Sequence, residues 1–164
     1  KYLKKIKNKK ILLIGNYTKF INGRHFENIE EIIVYLENNL KEKVILLGRV
    51  TSEDVESFYQ ACDIYLFPSV MQSEAFGIVQ LEAMRYGKPV INTNLGTGVN
   101  YVSIHGETGL TVEPANSEEL SKAIKTLLED APLREKLGQN ARRRVEMLFD
   151  IDRIKYQYKK DLYL

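Results

Sequence analysis

Ser73-Glu-Ala-Phe-Gly-Ile-Val-Gln-Leu-Glu-Ala-Met84 is the stretch of this 164-residue chain that decides the fold. The pattern predicts a small, glycine-containing turn that opens a helix, which runs to about Tyr86 and stops at Gly87. Glu74 and Glu82 stand on either side of the helix start. A helix rises about 1.5 Å per residue, so the step between the two glutamates spans at most about 12 Å. The turn is therefore flanked by two carboxylates.

The backbone N–H groups of residues 76–79 lie between these glutamates, in the first turn of the helix. Groups at that position have no intrahelical partner, and the helix dipole adds positive potential. The turn is thus suited to bind an anion such as a phosphate. With a hydroxyl-binding carboxylate on each side, it suits a ligand in which phosphate joins two polyols. That is the chemistry of a nucleotide sugar.

Strand and helix patterns alternate along the chain. Apolar runs predict strands at residues 11–15, 44–48, 64–67, 90–92 and 109–112. Helical patterns lie at about 27–40, 51–59, 78–86, 117–128, 132–145 and in the tail at 150–164. This alternation predicts βαβ units and hence an α/β fold, a Rossmann-like parallel sheet with helices on both faces. No linker or repeat is visible, so residues 1–164 are interpreted as one domain.

Composition is that of an ordinary globular protein, with 44% apolar and 28% charged residues. The net charge of +2 is too small to indicate a nucleic-acid partner. The single cysteine, Cys62, excludes a disulfide framework within the chain and fits a reducing compartment. No signal peptide or spanning apolar run is visible, which favours a cytoplasmic location. The two histidines lack neighbours at metal-ligand spacing, so no metal site is predicted.

The two glutamates separated by seven residues, with Phe76-Gly77 between them, resemble the signature of retaining GT-B glycosyltransferases of family 4, or group 1. An ordered set of segments is more specific than one pair of glutamates. Further segments follow the family's order over residues 11–148: Val44-Ile-Leu-Leu-Gly48-Arg49-Val50, Tyr59-Gln-Ala-Cys-Asp63, Ile64-Tyr-Leu-Phe-Pro68-Ser69, Gly87-Lys-Pro89-Val90-Ile91, Gly96-Thr97-Gly98 and Gly106-Glu-Thr-Gly109-Leu110.

The resemblance implies that this chain is the donor-binding, C-terminal half of a larger two-domain GT-B enzyme. The acceptor-holding N-terminal domain, and a segment whose cations meet the donor diphosphate, would lie outside it. The start at Lys1, without Met, fits such a fragment. We therefore expect the chain to be inactive alone.

The resemblance also implies the reaction. A hexose passes, with retention, from a nucleotide sugar such as a UDP- or GDP-hexose to a glycan or lipid-linked acceptor. The expected setting is cell-surface polysaccharide synthesis, of capsule or lipopolysaccharide, with peripheral membrane contact by the full-length protein. No metal or other cofactor is expected, because helix N–H groups and cations stabilise the departing diphosphate.

Roles for individual residues follow from the resemblance too. Glu74 is the catalytic candidate, placed beside the donor sugar to orient hydroxyls and support charge at the reacting carbon. Glu82 would accept hydrogen bonds from the ribose hydroxyls. It also borders an apolar helix face, where a carboxylate needs a partner. The remaining donor contacts are backbone N–H groups of the turn, from Ala75, Phe76, Gly77, Ile78 and Val79.

Two other segments are assigned to the donor by resemblance. Arg49 and Val50 follow a strand-ending glycine, where the family's nucleobase packs; a solvated Arg49 explains that residue equally well. Gly96 and Gly98 keep a backbone that can face a ligand, where the family often shows Gly-Gly-x-Pro-Glu. The sequence departs from that Pro-Glu and does not identify the donor.

Three rival interpretations stay open. A GT-B-fold sugar-nucleotide epimerase would share nucleotide binding but use other acid–base residues. A non-catalytic binding module would keep the fold without the activity. An unrelated flavodoxin-like domain would not bind nucleoside diphosphates at the Glu82 helix. Fold alone cannot decide among these interpretations. The intact pair of glutamates favours the transferase.

Overall fold

The computed structural model describes residues 11–14, 20–21, 24–25, 44–48 and 50–162, with side-chain environments for residues 50–160. The chain divides into two compact units, Lys1–Phe58 and Tyr59–Leu164. Most of the described elements have the type that the local sequence pattern predicts. The predicted helix at 27–40 and residue Arg49 lie outside the described residues.

The first unit contains a parallel strand pair. Strand β1 (Ile11–Ile14) pairs with β4 (Val44–Gly48), and the register shifts at the end of β1. Between them, β2 (Phe20–Ile21) and β3 (Arg24–His25) form an antiparallel hairpin that the sequence pattern did not predict. Helix α1 (Ser52–Ala61) follows β4 and crosses the boundary between the units, with Glu53 and Asp54 in its first turn. Acidic residues in the first turn interact favourably with the positive end of the helix dipole.

The second unit is a three-stranded parallel sheet with helices. Its strands, in spatial order, are β5 (Tyr65–Phe67), β6 (Val90–Thr93) and β7 (Gly109–Val112). Its helices are α2 (Ile78–Arg85), α3 (Gly98–Val102), α4 (Ser117–Glu129), α5 (Ala131–Leu148) and α6 (Ile151–Leu162). The predicted Rossmann-like α/β fold is confirmed.

Both faces of this sheet are covered. All four residues of β6 are buried, and its two apolar residues, Val90 and Ile91, belong to different apolar clusters. Ile91 packs with Leu127 and Leu137 of the C-terminal helices, whereas Val90 packs with Met84 of α2. Side chains of neighbouring strand residues point to opposite faces, so the two clusters lie on opposite sides of the sheet. A central strand buried on both faces is what its continuous apolar run predicts.

Helix ends follow local rules with one correction. Helix α2 ends at Arg85, with Tyr86 as its C-cap and Gly87, with φ of +70°, after it, as the Gly-Lys-Pro segment predicts. The helical pattern that begins at residue 117 predicts Ser117 as the N-cap of α4, and this prediction is wrong by one residue. Asn116 is the N-cap, and its side chain accepts a hydrogen bond of 3.0 Å from the Glu119 N–H. Asparagine and serine both serve as N-caps, which explains the ambiguity in the sequence.

Candidate functional site

Five backbone N–H groups define the candidate site, at residues 75–79, which we call the amide turn. The N–H of Glu74 donates to the Met71 carbonyl, and that of Gln80 donates to the Gly77 carbonyl. None of the five amides between them has a partner among the described residues. Gly77, the N-cap of α2, adopts φ of +68° and offers no capping side chain. The positive end of α2 is therefore open to an anion.

The residues of the amide turn differ in exposure, and Gly77 is buried. Ala75 is exposed, Ile78 is 65% exposed and Val79 is 37% exposed. Phe76 is half-buried and packs against the cluster around Val90. Its aromatic ring thus anchors the turn while its N–H remains available. Phe76 can therefore pack in the core through its ring and donate a hydrogen bond through its backbone N–H.

Glu82 lies in α2, three residues beyond the end of the amide turn, and its carboxylate accepts a hydrogen bond from a tyrosine. The buried Tyr59 hydroxyl donates a hydrogen bond of 2.9 Å to Glu82 Oε2. The Glu82 side chain is exposed, so this carboxylate has both its expected partner and free access to solvent. Only one of its two oxygens is engaged by Tyr59, which leaves Oε1 for a ligand hydroxyl.

Tyr59 and Tyr65 form a small aromatic cluster beneath Glu82. Their rings meet edge to face with centroids 5.6 Å apart. Burial, with the nearby Tyr65 and the Glu82 carboxylate, holds the pKa of Tyr59 well above its ordinary value. Burial raises the pKa of Tyr65 to about 12, and the charges of Glu82 and Glu74 contribute in the same direction. Both glutamates therefore contribute electrostatically to the raised pKa of Tyr65.

Glu74 is half-buried and is fixed through its backbone. Its carbonyl accepts a hydrogen bond of 2.9 Å from the Thr97 hydroxyl. Within residues 50–160, its carboxylate has no hydrogen-bond partner, unlike that of Glu82. A carboxylate on a fixed backbone, with its oxygens free, is suited to contact ligand hydroxyls.

A buried amide network lies under the turn. Gln80 is completely buried, and its Oε1 accepts a hydrogen bond of 3.1 Å from the Asn92 amide of β6. The Gln80 and Asn92 amide nitrogens each donate to the Val99 carbonyl at 3.3 Å. Asn92 Oδ1 accepts a further bond, of 2.8 Å, from Thr111. Buried polar groups are costly unless paired, so this network ties α2, β6, β7 and α3 in one arrangement.

Residues 96–99, the loop that leads into α3 together with the first two residues of that helix, pack directly against the amide turn. A Cβ added at Gly98 would lie 2.6 Å from the Ala75 carbonyl oxygen and 2.7 Å from the Phe76 ring, so only glycine permits this approach. Gly96 has φ of +65° and faces open space. The structure thus brings the predicted Gly98 to the turn.

Asn100 shapes the same loop. Its Oδ1 accepts hydrogen bonds of 3.1 Å from the Leu95 and Gly96 N–H groups, and its amide donates to the Thr93 carbonyl at 3.0 Å. Tyr101, the other residue that departs from the family's Pro-Glu, is 57% exposed and lies beside Arg144. Asn100 is therefore a local structural residue of the loop.

The predicted site residues divide between the two units. Glu74, Glu82, the amide turn, Gly96 and Gly98 all lie in the unit of residues 59–164. Val50 is half-buried in the other unit, and Arg49 is outside the described residues. The donor roles of all these residues stay predictions.

Several residues of the site were missed from the sequence: Tyr59, Tyr65, Gln80, Asn92 and Thr97. Gln80 breaks an apolar stretch, and Asn92 ends the apolar run of β6, which are weak signals for a polar pair inside the core. Tyr59 and Thr97 carried no signal, because their contacts are made with residues more than twenty positions away.

A shallow recess lies beyond the carboxyl ends of the three parallel strands, a common place for ligands in such sheets. Its volume is about 170 Å³, and it is lined by Pro68, Val70, Thr93, Val112, Glu113, Ala115, Asn116, Ser117 and Leu120. It contains none of the predicted site residues. Among the described side chains, no cluster of three or more His, Cys, Asp or Glu residues could hold a metal ion. None of the described helices is long and apolar enough to cross a membrane.

A comparison with protein families decides the relationship. The family model for glycosyl transferases group 1 matches residues 1–144. The chain belongs to this family. The resemblance in the sequence motifs is thereby confirmed, and the candidate site lies in a group 1 glycosyltransferase chain.

Curated relatives of this group 1 chain include two glycosyltransferases from bacteria. A D-rhamnosyltransferase of Pseudomonas aeruginosa is 44% identical over 106 residues, which are 65% of this chain and 28% of the relative. A capsular polysaccharide biosynthesis glycosyltransferase of Staphylococcus aureus is 35% identical over 142 residues, 87% of this chain and 34% of the relative. The chain thus spans about a third or less of the length of these relatives.

Solved structures show the same fold. Anabaena HepE in complex with UDP superimposes with a TM-score of 0.78 at 27% identity, covering 94% of this chain and 40% of that one. Sucrose-phosphate synthase from Thermosynechococcus elongatus gives a TM-score of 0.76 at 32% identity, covering 94% of this chain and 37% of that one. This group 1 chain therefore corresponds in fold to part of each of these proteins.

Proposed function

We propose that this chain is the donor-binding half of a retaining glycosyltransferase. The enzyme would move a hexose from a nucleoside-diphosphate sugar to a glycan or lipid-linked acceptor in cell-surface polysaccharide synthesis. The observation that carries the proposal is the amide turn, with open N–H groups at the positive end of α2 and a glutamate on each side. The names of the rhamnosyltransferase and the capsular relative, and the UDP bound to Anabaena HepE, support this ligand class.

Each part of a nucleotide sugar has a candidate partner. The amides of residues 75–79 would bind the diphosphate, since helix N-termini favour anions. Glu82 would accept hydrogen bonds from the ribose hydroxyls through Oε1, while Tyr59 holds Oε2. Glu74, fixed by Thr97, would contact hydroxyls of the transferred sugar. The order of these groups along the chain follows the order sugar, diphosphate, ribose.

The proposed reaction depends on the leaving diphosphate. As the bond from the sugar to the diphosphate breaks, negative charge grows on the phosphate oxygens and positive charge on the sugar. Preorganised N–H groups stabilise the first, and the Glu74 carboxylate the second. The acceptor hydroxyl would attack the sugar from the face that the diphosphate leaves, and the departing phosphate would take its proton. Attack from that face gives retention. We propose that no metal is needed and that the acceptor binds outside this chain.

Ligand-observed NMR tests the donor site. The chain is titrated with UDP, GDP, ADP and dTDP, and the titration is repeated with Glu82→Ala. We expect selective binding of one nucleotide, weakened at least about tenfold by the substitution, the equivalent of about 1.4 kcal/mol. The control is Glu135→Ala, an exposed glutamate of α5, which should bind like the native chain. Equal binding by Glu82→Ala would contradict the ribose role.

Activity assays separate the rival functions. The full-length protein is incubated with the sugar form of the selected nucleotide, with and without acceptor lipid or glycan. A transferase releases nucleoside diphosphate in step with acceptor glycosylation. An epimerase would instead change the donor sugar without any acceptor, and a binding module would leave the donor intact. We expect this chain by itself to give no transfer.

A further inference from the structure

The loop at residues 96–99 contacts the amide turn and the residues on either side of it at three separate points. The Thr97 hydroxyl donates to the Glu74 carbonyl at 2.9 Å. Gly98 lies directly against the Ala75 carbonyl and the Phe76 ring. The Val99 carbonyl accepts the side-chain amide of Gln80 at 3.3 Å. These contacts meet the turn before, within and after its open amides, so the loop determines where the turn lies.

Thr97 is the only one of these contacts that reaches Glu74. It is also the N-cap of α3, because its Oγ1 accepts a bond of 3.4 Å from the Val99 N–H. One hydroxyl thus donates to the backbone that carries Glu74 and accepts from the first turn of α3. A hydroxyl can do both at once, since it has one donor and two acceptor positions.

The opposite end of α3 is fixed as well. Arg144 of α5 donates to the Val102 carbonyl at 3.1 Å and to the Tyr101 carbonyl at 2.6 Å. Its guanidinium also lies over the Phe149 ring, and that ring meets Phe76 edge to face. Because α3 is held at both ends, the Thr97 hydroxyl is attached to a rigid support. Movement of Glu74 relative to α3 would break the Thr97 bond.

We propose that Thr97 is a positioning residue for the donor site, in which its hydroxyl fixes Glu74 and the amide turn in their binding geometry. The inference rests on the proposed function of that turn. The resemblance assigns no role to Thr97, which lies between the two glycines assigned to the donor. The hydroxyl is what matters, so serine should replace threonine and valine should not.

The test compares three variants of the chain by titration with UDP, GDP, ADP and dTDP. Thr97→Val keeps the shape and removes the hydroxyl; we expect the affinity for the preferred nucleotide to fall about tenfold. Thr97→Ser restores the hydroxyl and should bind within about twofold of the native chain. Thr108→Val is the matched control. Its buried hydroxyl accepts from the Ile104 N–H at 2.8 Å, away from the turn. It should lose stability and keep its affinity.

A second readout needs no ligand. Thr97→Val should move the ¹³C′ resonance of Glu74 and the amide resonances of residues 75–79, and Thr97→Ser should not. The proposal is overturned if Thr97→Val binds like the native chain, if Thr97→Ser is equally weak, or if Thr108→Val weakens binding as much. If the native chain binds none of the nucleotides, the proposed function fails. The resonances of Glu74 and residues 75–79 then test the positioning role by themselves. The role is supported if they move in Thr97→Val and not in Thr97→Ser, and it is overturned by any other result.

Discussion

Tyr59 shows how a single buried side chain prepares an exposed one. The Glu82 carboxylate is in solvent, where a free side chain samples several rotamers. The Tyr59 hydroxyl, on a ring that is only 8% exposed, holds one of its oxygens in place. Ordering before binding reduces the entropy that a ligand must overcome. The tyrosine therefore contributes to affinity without contacting the proposed ligand.

Tyr59→Phe tests this role, because it removes the hydroxyl and keeps the ring. We expect nucleotide affinity to fall about two- to fivefold, less than the loss of Glu82 itself causes, since the carboxylate remains. The matched control is Tyr158→Phe on α6, whose ring is 67% exposed. Titration by ligand-observed NMR measures both. Unchanged affinity in Tyr59→Phe would show that Glu82 needs no fixed rotamer.

Gly77 offers a second prediction at the scale of one residue. Its φ of +68° disfavours any side chain, and an added Cβ would lie 2.7 Å from Gln80 Nε2 and 3.0 Å from the Phe67 ring. Gly96 has nearly the same φ, +65°, with nothing within 4 Å. Gly96→Ala should therefore cost about 1 kcal/mol of unfolding free energy, from backbone strain alone.

Gly77→Ala adds steric contact to the same strain. We expect it to cost about 2–4 kcal/mol, so that the pair of variants isolates the contact with the buried amide network. Urea denaturation monitored by circular dichroism measures both unfolding free energies. Equal losses in the two variants would mean that Gln80 and Phe67 move aside freely.

The amide network also explains a limit of prediction from sequence. Polar residues in an apolar pattern are usually interpreted as facing solvent, and Glu82 is such a residue. Gln80, two positions earlier, is completely buried because its partners come from β6 and α3. The open amides of the turn follow from local helix rules and were predictable. The groups that hold the turn in place depend on long-range packing and were not.

At the scale of elements, the helices and strands with a strong local sequence pattern were predicted, and those with a weak pattern were not. Strands β1 and β4 have dense apolar runs, and the side chains of Asn116 and Asp130 cap α4 and α5. Helix α3 has only five residues and begins with glycine, which is a poor helix former. It forms because Thr97 and Arg144 satisfy its two ends. The β2–β3 hairpin has two residues in each strand, too short for a periodic signal.

The contact of α5 with the end of α2 provides a prediction at this scale. A Cβ added at Gly138 would lie 2.2 Å from the carbonyl oxygen of Gly87, a backbone atom that cannot rotate away. Gly138→Ala must therefore push α5 from α2, although alanine favours the helix itself. We expect a loss of about 2–4 kcal/mol in unfolding free energy.

The neighbouring Gln139→Ala is the matched control for that experiment, because this side chain is exposed on the same helix. It should change the unfolding free energy by less than about 0.5 kcal/mol. Urea denaturation compares the two variants with the native chain. A stability gain in Gly138→Ala would show that helix propensity outweighs the close packing.

At the scale of the whole molecule, the described site and both apolar clusters belong to residues 59–164. Tyr65 packs against the apolar cluster that supports α2, and the buried Tyr59 meets the Tyr65 ring edge to face. Folding and site geometry are therefore coupled through the same residues. A change in the ionisation of these tyrosines should affect the stability of this unit as a whole.

Alkaline pH supplies that change. The folded structure raises the pKa of Tyr59 and of Tyr65 above their ordinary value of 10.0, Tyr65 to about 12, chiefly through burial. The unfolded chain thus releases these protons first. Their stabilising effect is complete below the ordinary pKa and is lost as the pH rises through the folded pKa. Each tyrosine should remove about 1.4 kcal/mol per pH unit above about pH 10.

The native chain and the double variant Tyr59→Phe/Tyr65→Phe are compared by urea denaturation between about pH 8 and about pH 11.5. The variant is expected to be less stable near neutral pH, because it lacks the Glu82 hydrogen bond, and to lose less stability above about pH 10. Tyr156→Phe/Tyr158→Phe removes two exposed tyrosines of α6 and should follow the native curve. Lysine ionisation is common to all three chains and cancels in the comparison. Parallel curves for the native chain and the first variant would show that these buried hydroxyls do not couple pH to folding.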